Sequence, residues 1–197
     1  DAHLKAKEGE TQNVSINAWV VNRKLLQGLI QDATLTGAKS FEKDVLLANI
    51  KSLRIYGYEY NDVYLHMNNM ENYFRGNMAL LNEGIRNALF ANEERRIYTK
   101  VRDSAPTRYG ENAEIENSFI ADGCDIQGKV ENSILFRGVK VGKGTVVKNS
   151  ILMQDTIVGA MSTLDHVVSD KNVLIKDKSN LSGCEKVPYY LGKDLVI

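Results

Sequence analysis

The stretch ENSILFRGVKVGKGTVVKNSIL, residues 131–152, decides the fold because it holds one complete repeat and the start of the next. Its opening motif, Asn-Ser followed by an apolar residue, occurs at 117–119, 132–134 and 149–151. The spacings are 15 and 17 residues, and apolar residues recur between the copies in strides near six. A fixed short period predicts stacked structural units. We therefore expect a left-handed parallel β-helix of hexapeptide repeats, with three short strands per coil.

The overall composition is that of a globular chain of one large or two modest domains. The 197 residues are 43% hydrophobic and 25% charged, and 25 basic residues balance 25 acidic ones. Without net charge we expect no nucleic acid or membrane-surface partner. No apolar run approaches the ~20 residues of a membrane span. Asp1–Glu10 is too polar for a signal peptide. The only two cysteines, Cys124 and Cys184, form no pairing motif, which favours the reducing cytoplasm.

The first half of the chain has the pattern of an α/β segment. Apolar and β-branched runs predict strands, and apolar residues at helical spacing after polar caps predict helices. The predicted strands are Val14–Val21, Leu53–Tyr60 and Val63–His66; the predicted helices are Arg23–Asp32, a helix capped by Ser40, a helix from Met70 to Leu81, and Glu83–Ala91.

These patterns divide the chain into three parts. Residues 1–96 form the α/β segment, 97–112 a linker with Pro106 and Gly110, and 113–197 the β-helix with its tail. About four coils should occupy Ala113–Lys176. The tail, Gly183–Ile197, should cover the open end of the β-helix or pair with it as an edge strand. Because the chain starts at Asp1 without a methionine, we expect it to be a piece of a longer protein.

Few residues suggest chemistry on their own. The glycine-rich run Gly138–Gly144 could hold a phosphate, but its valines keep the β-helix stride and favour corner glycines. Asp122 and Asp125 flank Cys124 and could form a metal pair, although turn hydrogen bonds and a thiol packed in the core are the simpler interpretation.

Histidines and tyrosines leave further alternatives. His166, within the last coil, could act as the general base of a hexapeptide acyltransferase that uses acetyl-CoA, or could be a solvated residue. His3 should be solvated. The dense tyrosines of the first half could form a platform for a sugar or base, but packing explains most of them.

At this point the sequence resembles a known family, bacterial glucose-1-phosphate adenylyltransferase (ADP-glucose pyrophosphorylase). The matching segments come in the family's order of helix, junction and first coil: Tyr58–Tyr60, Tyr64, Met70–Leu81, Arg96–Thr99, Pro106 and Ser118–Cys124. The resemblance implies a Rossmann-like nucleotidyltransferase domain followed by a β-helix, and synthesis of ADP-glucose and pyrophosphate from ATP and glucose 1-phosphate in glycogen biosynthesis. The family's glycine-rich ATP loop is not in this sequence, so the resemblance is to the C-terminal portion.

Two site positions follow from the resemblance. In the family's A-S-M-G-I-Y segment a serine lies at the sugar phosphate; Ser15 takes its place and Asn17 that of the glycine. Ser15 is thus the candidate residue for binding glucose 1-phosphate, with a strand serine that binds nothing as the alternative. In the family's W-x-D-V-G-T segment an aspartate holds Mg²⁺, and His66 takes its place here. Imidazole is a poor ligand for Mg²⁺, so we expect no metal at His66.

This departure resembles the GlgD-type subunit, a catalytically degenerate companion of an active enzyme. We therefore expect a regulatory or assembly subunit of the adenylyltransferase, inactive alone, with no catalytic residue and no cofactor of its own. Mg²⁺ would serve the active enzyme. The expected partners are a catalytic subunit, further copies of the chain, or both. The alternatives are the acyltransferase that uses His166 and a purely structural scaffold.

Overall fold

The computed structural model describes residues 13–197, so the predictions for Asp1–Glu10 and His3 lie outside the described residues. Contacts between Cα atoms divide the chain into two compact units, one ending at Asn61 and one running from Asp62 to Ile197. The predicted division at 96 and 112 remains a prediction.

The first unit is built around one α-helix and one π-helical segment. Helix α1 runs from Arg23 to Thr36, and the side chain of Asn22 caps its first turn by accepting hydrogen bonds from backbone N–H groups. Gly37 ends it in the left-handed conformation, at φ 69°. The π-helical segment Phe41–Leu47 begins at Ser40, whose Oγ accepts from the N–H of Lys43 at 3.2 Å. The predicted first helix and the predicted Ser40 cap are confirmed.

The predicted strands of the first unit are wrong. Neither Val14–Val21 nor Leu53–Tyr60 belongs to a sheet in the described chain, and most of their side chains are exposed. Among residues 13–61, only Leu29, Val45 and Leu46 are buried. A strand is stable only when neighbouring strands satisfy its backbone groups. No described segment supplies such neighbours here.

The second unit opens with the predicted helices. Helix α2 covers Met70–Ala79 and helix α3 Glu83–Phe90, capped by Asn69 and Asn82 respectively. A short 3₁₀ helix, Glu93–Arg95, follows. The predicted strand Val63–His66 does not form. Its residues precede α2 as irregular backbone, again without a strand partner among the described residues.

The rest of the second unit is a β-helix. Its strands in the described chain are β1 Arg108–Tyr109, β2 Glu114–Glu116, β3 Phe119–Ile120, β4 Asp125–Ile126, β5 Lys129–Glu131, β6 Ile134–Leu135, β7 Lys140–Val141, β8 Val146–Lys148, β9 Ile151–Leu152, β10 Ile157–Val158, β11 Thr163–Asp165, β12 Val167–Ser169, β13 Leu174–Ile175, β14 Asn180–Ser182 and β15 Tyr189–Leu191.

These strands form three five-stranded parallel sheets. Sheet A has the order β1-β4-β7-β10-β13, sheet B β14-β11-β8-β5-β2, and sheet C β15-β12-β9-β6-β3. The span Ala113–Lys176 contributes four strands to each sheet, as predicted. One strand per sheet lies outside that span: β1 before it, and β14 and β15 after it. The tail also pairs through a bridge between Val196 and Leu174, as expected for an edge. The predicted left-handed β-helix after a helical segment is confirmed.

Every coil contributes apolar side chains to one narrow core. Its fully buried members are Ile126, Val130, Leu135, Val139, Val141, Val147, Leu152, Val158, Leu164, Val167, Val173 and Ile175. In register, Ile126 stacks on Val141, and Val130 on Val147. Stacking equivalent side chains at strand spacing gives each coil the apolar neighbours that it cannot supply itself.

The Asn-Ser motif forms one corner of the β-helix. Asn117, Asn132 and Asn149 have positive φ, which asparagine tolerates better than most residues. Their side-chain amides form a ladder of hydrogen bonds. Asn117 Nδ2 donates to Asn132 Oδ1, and Asn132 Nδ2 donates to Asn149 Oδ1. At the end of the ladder, Asn149 Nδ2 donates to Asp165 Oδ1. The N–H of Ser150 donates to the Oγ of Ser133, and the N–H of Val167 to the Oγ of Ser150. The motif therefore satisfies backbone groups at a buried corner.

Candidate functional site

Helix α2 covers the outer face of sheet C. Strands β6 and β9 each place two consecutive apolar residues, so that one side chain points into the core and the other outward. The outward residues Ile151 and Val168 are 0% and 1% exposed because Phe74 of α2 packs on them, together with Tyr73, Met78 and Phe136. This packing fixes α2 on the β-helix.

A groove of about 610 Å³ lies between α2 and the asparagine corner. It is lined by Phe74, Arg75, Met78, Ala79, Asn132, Asn149, His166 and Glu185. It combines an apolar wall from the helix with amide, imidazole and charged groups from the coils. This is the candidate site of the second unit, which we call the α2 groove.

The charges of the α2 groove are already paired. Arg75 Nε donates to Glu185 Oε1 at 2.9 Å, and Arg75 Nη1 lies 3.3 Å from Glu71 Oε1. Both partners are substantially exposed, so these ion pairs add little stability by themselves. The pair with Glu185 connects α2 to the turn that contains that residue, whereas the pair with Glu71 lies within the helix. The Arg75 guanidinium thus links α2 to Glu185 and is already occupied by carboxylates, so it is not an open anion-binding site.

His166 lies in the α2 groove. It occupies the corner position that Asn149 holds one coil earlier, with φ 52°. Its ring centre lies 5.7 Å from that of Phe74, and its side chain is 25% exposed. Nδ1 lies 2.8 Å from Asp165 Oδ1 but makes no hydrogen bond within residues 13–197. These contacts are those of a packed corner residue and give no support to the acyltransferase alternative.

Ser15 lies in the first unit and is exposed. Its Oγ accepts a hydrogen bond from the N–H of Asn17 at 3.2 Å. Asn17 has φ 57°, a conformation that suits the glycine whose place it takes. The local backbone is thus a tight turn rather than the predicted strand. Sugar-phosphate binding by Ser15 remains a prediction.

His66 lies in the second unit, so the two positions taken from the resemblance belong to different units. Its exposed ring stacks on Tyr64, with ring centres 5.8 Å apart and planes inclined by 19°. An imidazole stacked on a phenol offers neither the anionic oxygen nor the geometry that Mg²⁺ requires, so this position does not fit the ion. Elsewhere in residues 13–197 no group of three or more His, Cys, Asp or Glu is placed to hold a metal ion.

The other residues selected from the sequence have structural roles. Cys124 is 2% exposed, its Sγ lies 3.2 Å from the carbonyl oxygen of Phe136, and burial raises the pKa of its thiol. A hydrogen bond from Arg108 lowers the pKa of the Asp125 carboxyl, so that carboxylate ties neighbouring coils together. Gly138 and Gly144 have φ of 74° and 69°, as corner residues do.

The tyrosines divide between the two interpretations. Tyr73 of α2 packs beside Phe74 in the contact with sheet C. Burial is the main cause that raises the pKa of its phenol. Tyr56 and Tyr58 are largely exposed, so the packing interpretation is wrong for them.

Sequence reasoning missed the α2 groove. The signal was present in the doubled apolar residues Ile134-Leu135 and Ile151-Leu152, because a strand with one solvated face should alternate. Apolar side chains in a row on the outer face of a sheet imply that another helix or strand packs on that face. The partner in that contact, Phe74, could not be chosen from the sequence, since several helical residues had suitable apolar character.

No helix in the described part of the chain is both long and apolar enough to cross a membrane. Residues 102–185 match the family described as GlmU-like, C-terminal hexapeptide. GlgD, a glycogen biosynthesis protein of Bacillus subtilis (strain 168), is 37% identical over 182 residues, which are 92% of this chain and 52% of that protein.

Two further relatives agree with this match. Glucose-1-phosphate adenylyltransferase of Clostridium perfringens (strain SM101 / Type A) is 31% identical over 156 residues, 77% of this chain and 40% of that enzyme. GlgD of Geobacillus stearothermophilus is 51% identical over 70 residues, 36% of this chain and 20% of that protein. The chain therefore spans about half the length of the first of these relatives and less of the others.

Proposed function

Because this chain is related to the bacterial GlgD and glucose-1-phosphate adenylyltransferase proteins, we propose that it acts in glycogen biosynthesis as part of an adenylyltransferase-type subunit. The complete enzyme would convert ATP and glucose 1-phosphate into ADP-glucose and pyrophosphate. Within it, this chain would serve assembly and regulation rather than catalysis. The match to GlgD over 92% of the chain is the observation that carries the proposal.

The side chain at position 66 supports a non-catalytic role. Phosphoryl-group chemistry depends on a metal ion to neutralise developing charge. His66 stands where the resemblance places the metal aspartate, and its ring stacks on Tyr64. Neither side chain replaces a hard carboxylate. We propose no cofactor for this chain, and Mg²⁺ would be bound by the active subunit.

The packing of α2 supports a role in assembly. Phe74 joins the segment that follows His66 to the outer face of sheet C, within one compact unit. We propose that this contact would pass a displacement of the β-helix to the residues before α2. A partner subunit that binds the β-helix could influence the adenylyltransferase in this way. The proposed partners are an active adenylyltransferase subunit and further copies of the chain, in the cytoplasm.

The first test is turnover by the purified chain. A coupled pyrophosphate-release assay with ATP, glucose 1-phosphate and Mg²⁺ should give no signal above a protein-free blank. An active glucose-1-phosphate adenylyltransferase in the same buffer is the control. Robust turnover by the chain alone would contradict the non-catalytic role.

The second test is assembly. The chain should co-elute in size-exclusion chromatography with the glucose-1-phosphate adenylyltransferase of the same cell and change the response of that enzyme to sugar phosphates. An unrelated β-helix protein is the control for non-specific association. Elution of the two proteins as separate species would contradict the proposal, and transfer of acetyl groups from acetyl-CoA would favour the acyltransferase instead.

A further inference from the structure

The α2 groove contains hydrogen-bonding groups that the asparagine ladder does not use up. Asn132 and Asn149 line the groove, and in the ladder each side-chain amide donates one hydrogen bond and accepts one. An amide has two N–H donors and two lone pairs on its oxygen, so each residue keeps one donor and one acceptor for a further partner. The two residues lie one coil apart, about 4.8 Å along the axis of the β-helix. One wall of the groove therefore presents donors and acceptors in pairs.

Two further lining residues add polar groups to the α2 groove. His166 Nδ1 lies 2.8 Å from the carboxylate of the preceding residue, which leaves Nε2 as the ring nitrogen for another partner. Glu185 is exposed and its Oε1 accepts from Arg75, so its second oxygen remains an acceptor. A groove of about 610 Å³ with a few polar groups beside an apolar wall has the size and composition of a small-molecule site.

The charges around the α2 groove disfavour an anionic ligand. Arg75 is the one permanent cation among the lining residues, and it is paired with Glu71 and Glu185. Asp165 adds a third carboxylate beside His166. Three carboxylates around one guanidinium repel a phosphate or carboxylate group. A ligand that fits this groove should therefore be uncharged.

Packing also narrows the class of ligand. Phe74 is 3% exposed, so the groove offers no open phenyl face on which a planar base could stack. A hydroxyl group both donates and accepts, as the paired groups of the asparagine wall require. The C–H groups of a sugar ring can pack on the half-buried side chains of Met78 and Ala79.

We propose that the α2 groove binds an uncharged sugar, and that this sugar is a glucose unit of a glucan chain. The preference for an uncharged, hydroxyl-rich ligand follows from the amides and charges of the groove. The choice of glucose rests on the proposed function in glycogen biosynthesis. The groove would then let the subunit respond to the polymer whose synthesis it serves.

Titration of the full chain, followed by nuclear magnetic resonance, provides the test. Maltotriose should shift the side-chain amide signals of Asn132 and Asn149 with saturable binding. Methyl α-glucoside and glucose 1-phosphate form a matched pair, because they share the ring and differ in charge. We expect glucose 1-phosphate to bind at least tenfold more weakly than methyl α-glucoside.

Three variants test the location of the site. Ala79→Phe, at the end of α2, places a ring in the groove and should weaken maltotriose binding at least tenfold, with an unchanged circular dichroism spectrum. Glu185→Gln removes a carboxylate from Arg75 and should strengthen binding of glucose 1-phosphate about tenfold. The control is Lys186→Gln, the next exposed position of the same turn, which does not line the groove and should bind both ligands like the wild type.

Several outcomes would overturn the proposal: no saturable shift with maltotriose, tighter binding of glucose 1-phosphate than of methyl α-glucoside, or maltotriose binding unaffected by Ala79→Phe. Equal binding of methyl α-galactoside would overturn the assignment to glucan. None of these measurements involves pyrophosphate release or co-elution with an adenylyltransferase, so the sugar site and the proposed function can fail separately.

Discussion

The β-helix and the first unit use the same kinds of apolar residue with opposite results. Leu152 and Leu164 in the core of the coils are 0% exposed, whereas Val20 in the first unit is completely exposed. In the coils, the neighbour that covers each side chain is another copy of the same short pattern 15 to 17 residues away. In the first unit, no described segment covers the apolar side chains of 14–21 and 53–60 in this way.

The difference shows that the burial of an apolar side chain depends on whether another segment packs against it more than on its hydrophobicity. A coil satisfies its backbone and core through the next coil, so stability accumulates by nearest-neighbour contacts. An isolated strand cannot do this, whatever its β-propensity. The following predictions measure that contrast, beginning with the largest effect.

Removing a core side chain should affect the two units unequally. Leu164→Ala should lower the free energy of unfolding by about 4 kcal/mol, since strands on all three sides prevent the cavity from collapsing. Leu29→Ala, at the margin of the small core of the first unit, should cost only about 1–2 kcal/mol. Urea denaturation followed by circular dichroism and hydrogen exchange would measure both. Equal losses would remove the contrast.

Replacing a glycine by alanine should destabilise the β-helix but stabilise the first unit. A Cβ on Gly142 would lie 2.7 Å from backbone atoms of Gly159 and Ala160, so Gly142→Ala should cost about 3 kcal/mol. A Cβ on Gly28 in α1 meets nothing within 4 Å, so Gly28→Ala should stabilise that helix by about 0.5–1 kcal/mol. Thermal unfolding of the two variants side by side is the measurement. A stable Gly142→Ala protein would show that the coils stack less tightly than described.

The asparagine corner offers a finer comparison within the β-helix. Asn149→Ala should lose the ladder hydrogen bonds and also strain the backbone at φ 45°, for a total of about 2 kcal/mol. Asn149→Gly relieves the strain and should cost about 1 kcal/mol. The difference in urea midpoint between the two variants isolates the contribution of conformation. If alanine and glycine were equally tolerated, the ladder alone would explain the motif.

The smallest expected effect is electrostatic. Arg108 holds the pKa of the Asp125 carboxyl below its ordinary value of 3.8, so this pair stabilises the fold above about pH 4 and the contribution disappears as the pH falls through the lower folded value. Asp125→Asn should therefore weaken the protein slightly at pH 7 and by less at pH 2. High salt should reduce the effect because Arg108 is largely exposed. Urea midpoints at the two pH values, with and without salt, would measure it. An identical loss at both pH values would assign the effect to packing.

Most of the fold was predictable because its cause is local. The Asn-Ser motif, the six-residue stride and the Ser40 cap act over a few residues each, and the structure confirms them. The predictions for Val14–Val21 and Leu53–Tyr60 failed for the opposite reason. Their β-propensity was recognised correctly, but a strand also requires a partner that the described chain does not contain.

The candidate site was predictable only in part. His166 was selected from the sequence, but as a possible base, and its position under Phe74 could not be known. The contact between Arg75 and Glu185 joins residues 110 positions apart, a distance over which no sequence pattern in this chain carries information.

The sequence by itself determined the β-helix of this protein, because each copy of a repeated pattern packs against the next copy, so the pattern identifies both partners of each contact. Only the tertiary structure decided that α2 covers the outward side chains of Ile151 and Val168, and that segments 14–21 and 53–60 remain exposed. Those contacts join segments of unrelated sequence, so they depend on shape and on which neighbours are available, and neither is encoded in a local pattern.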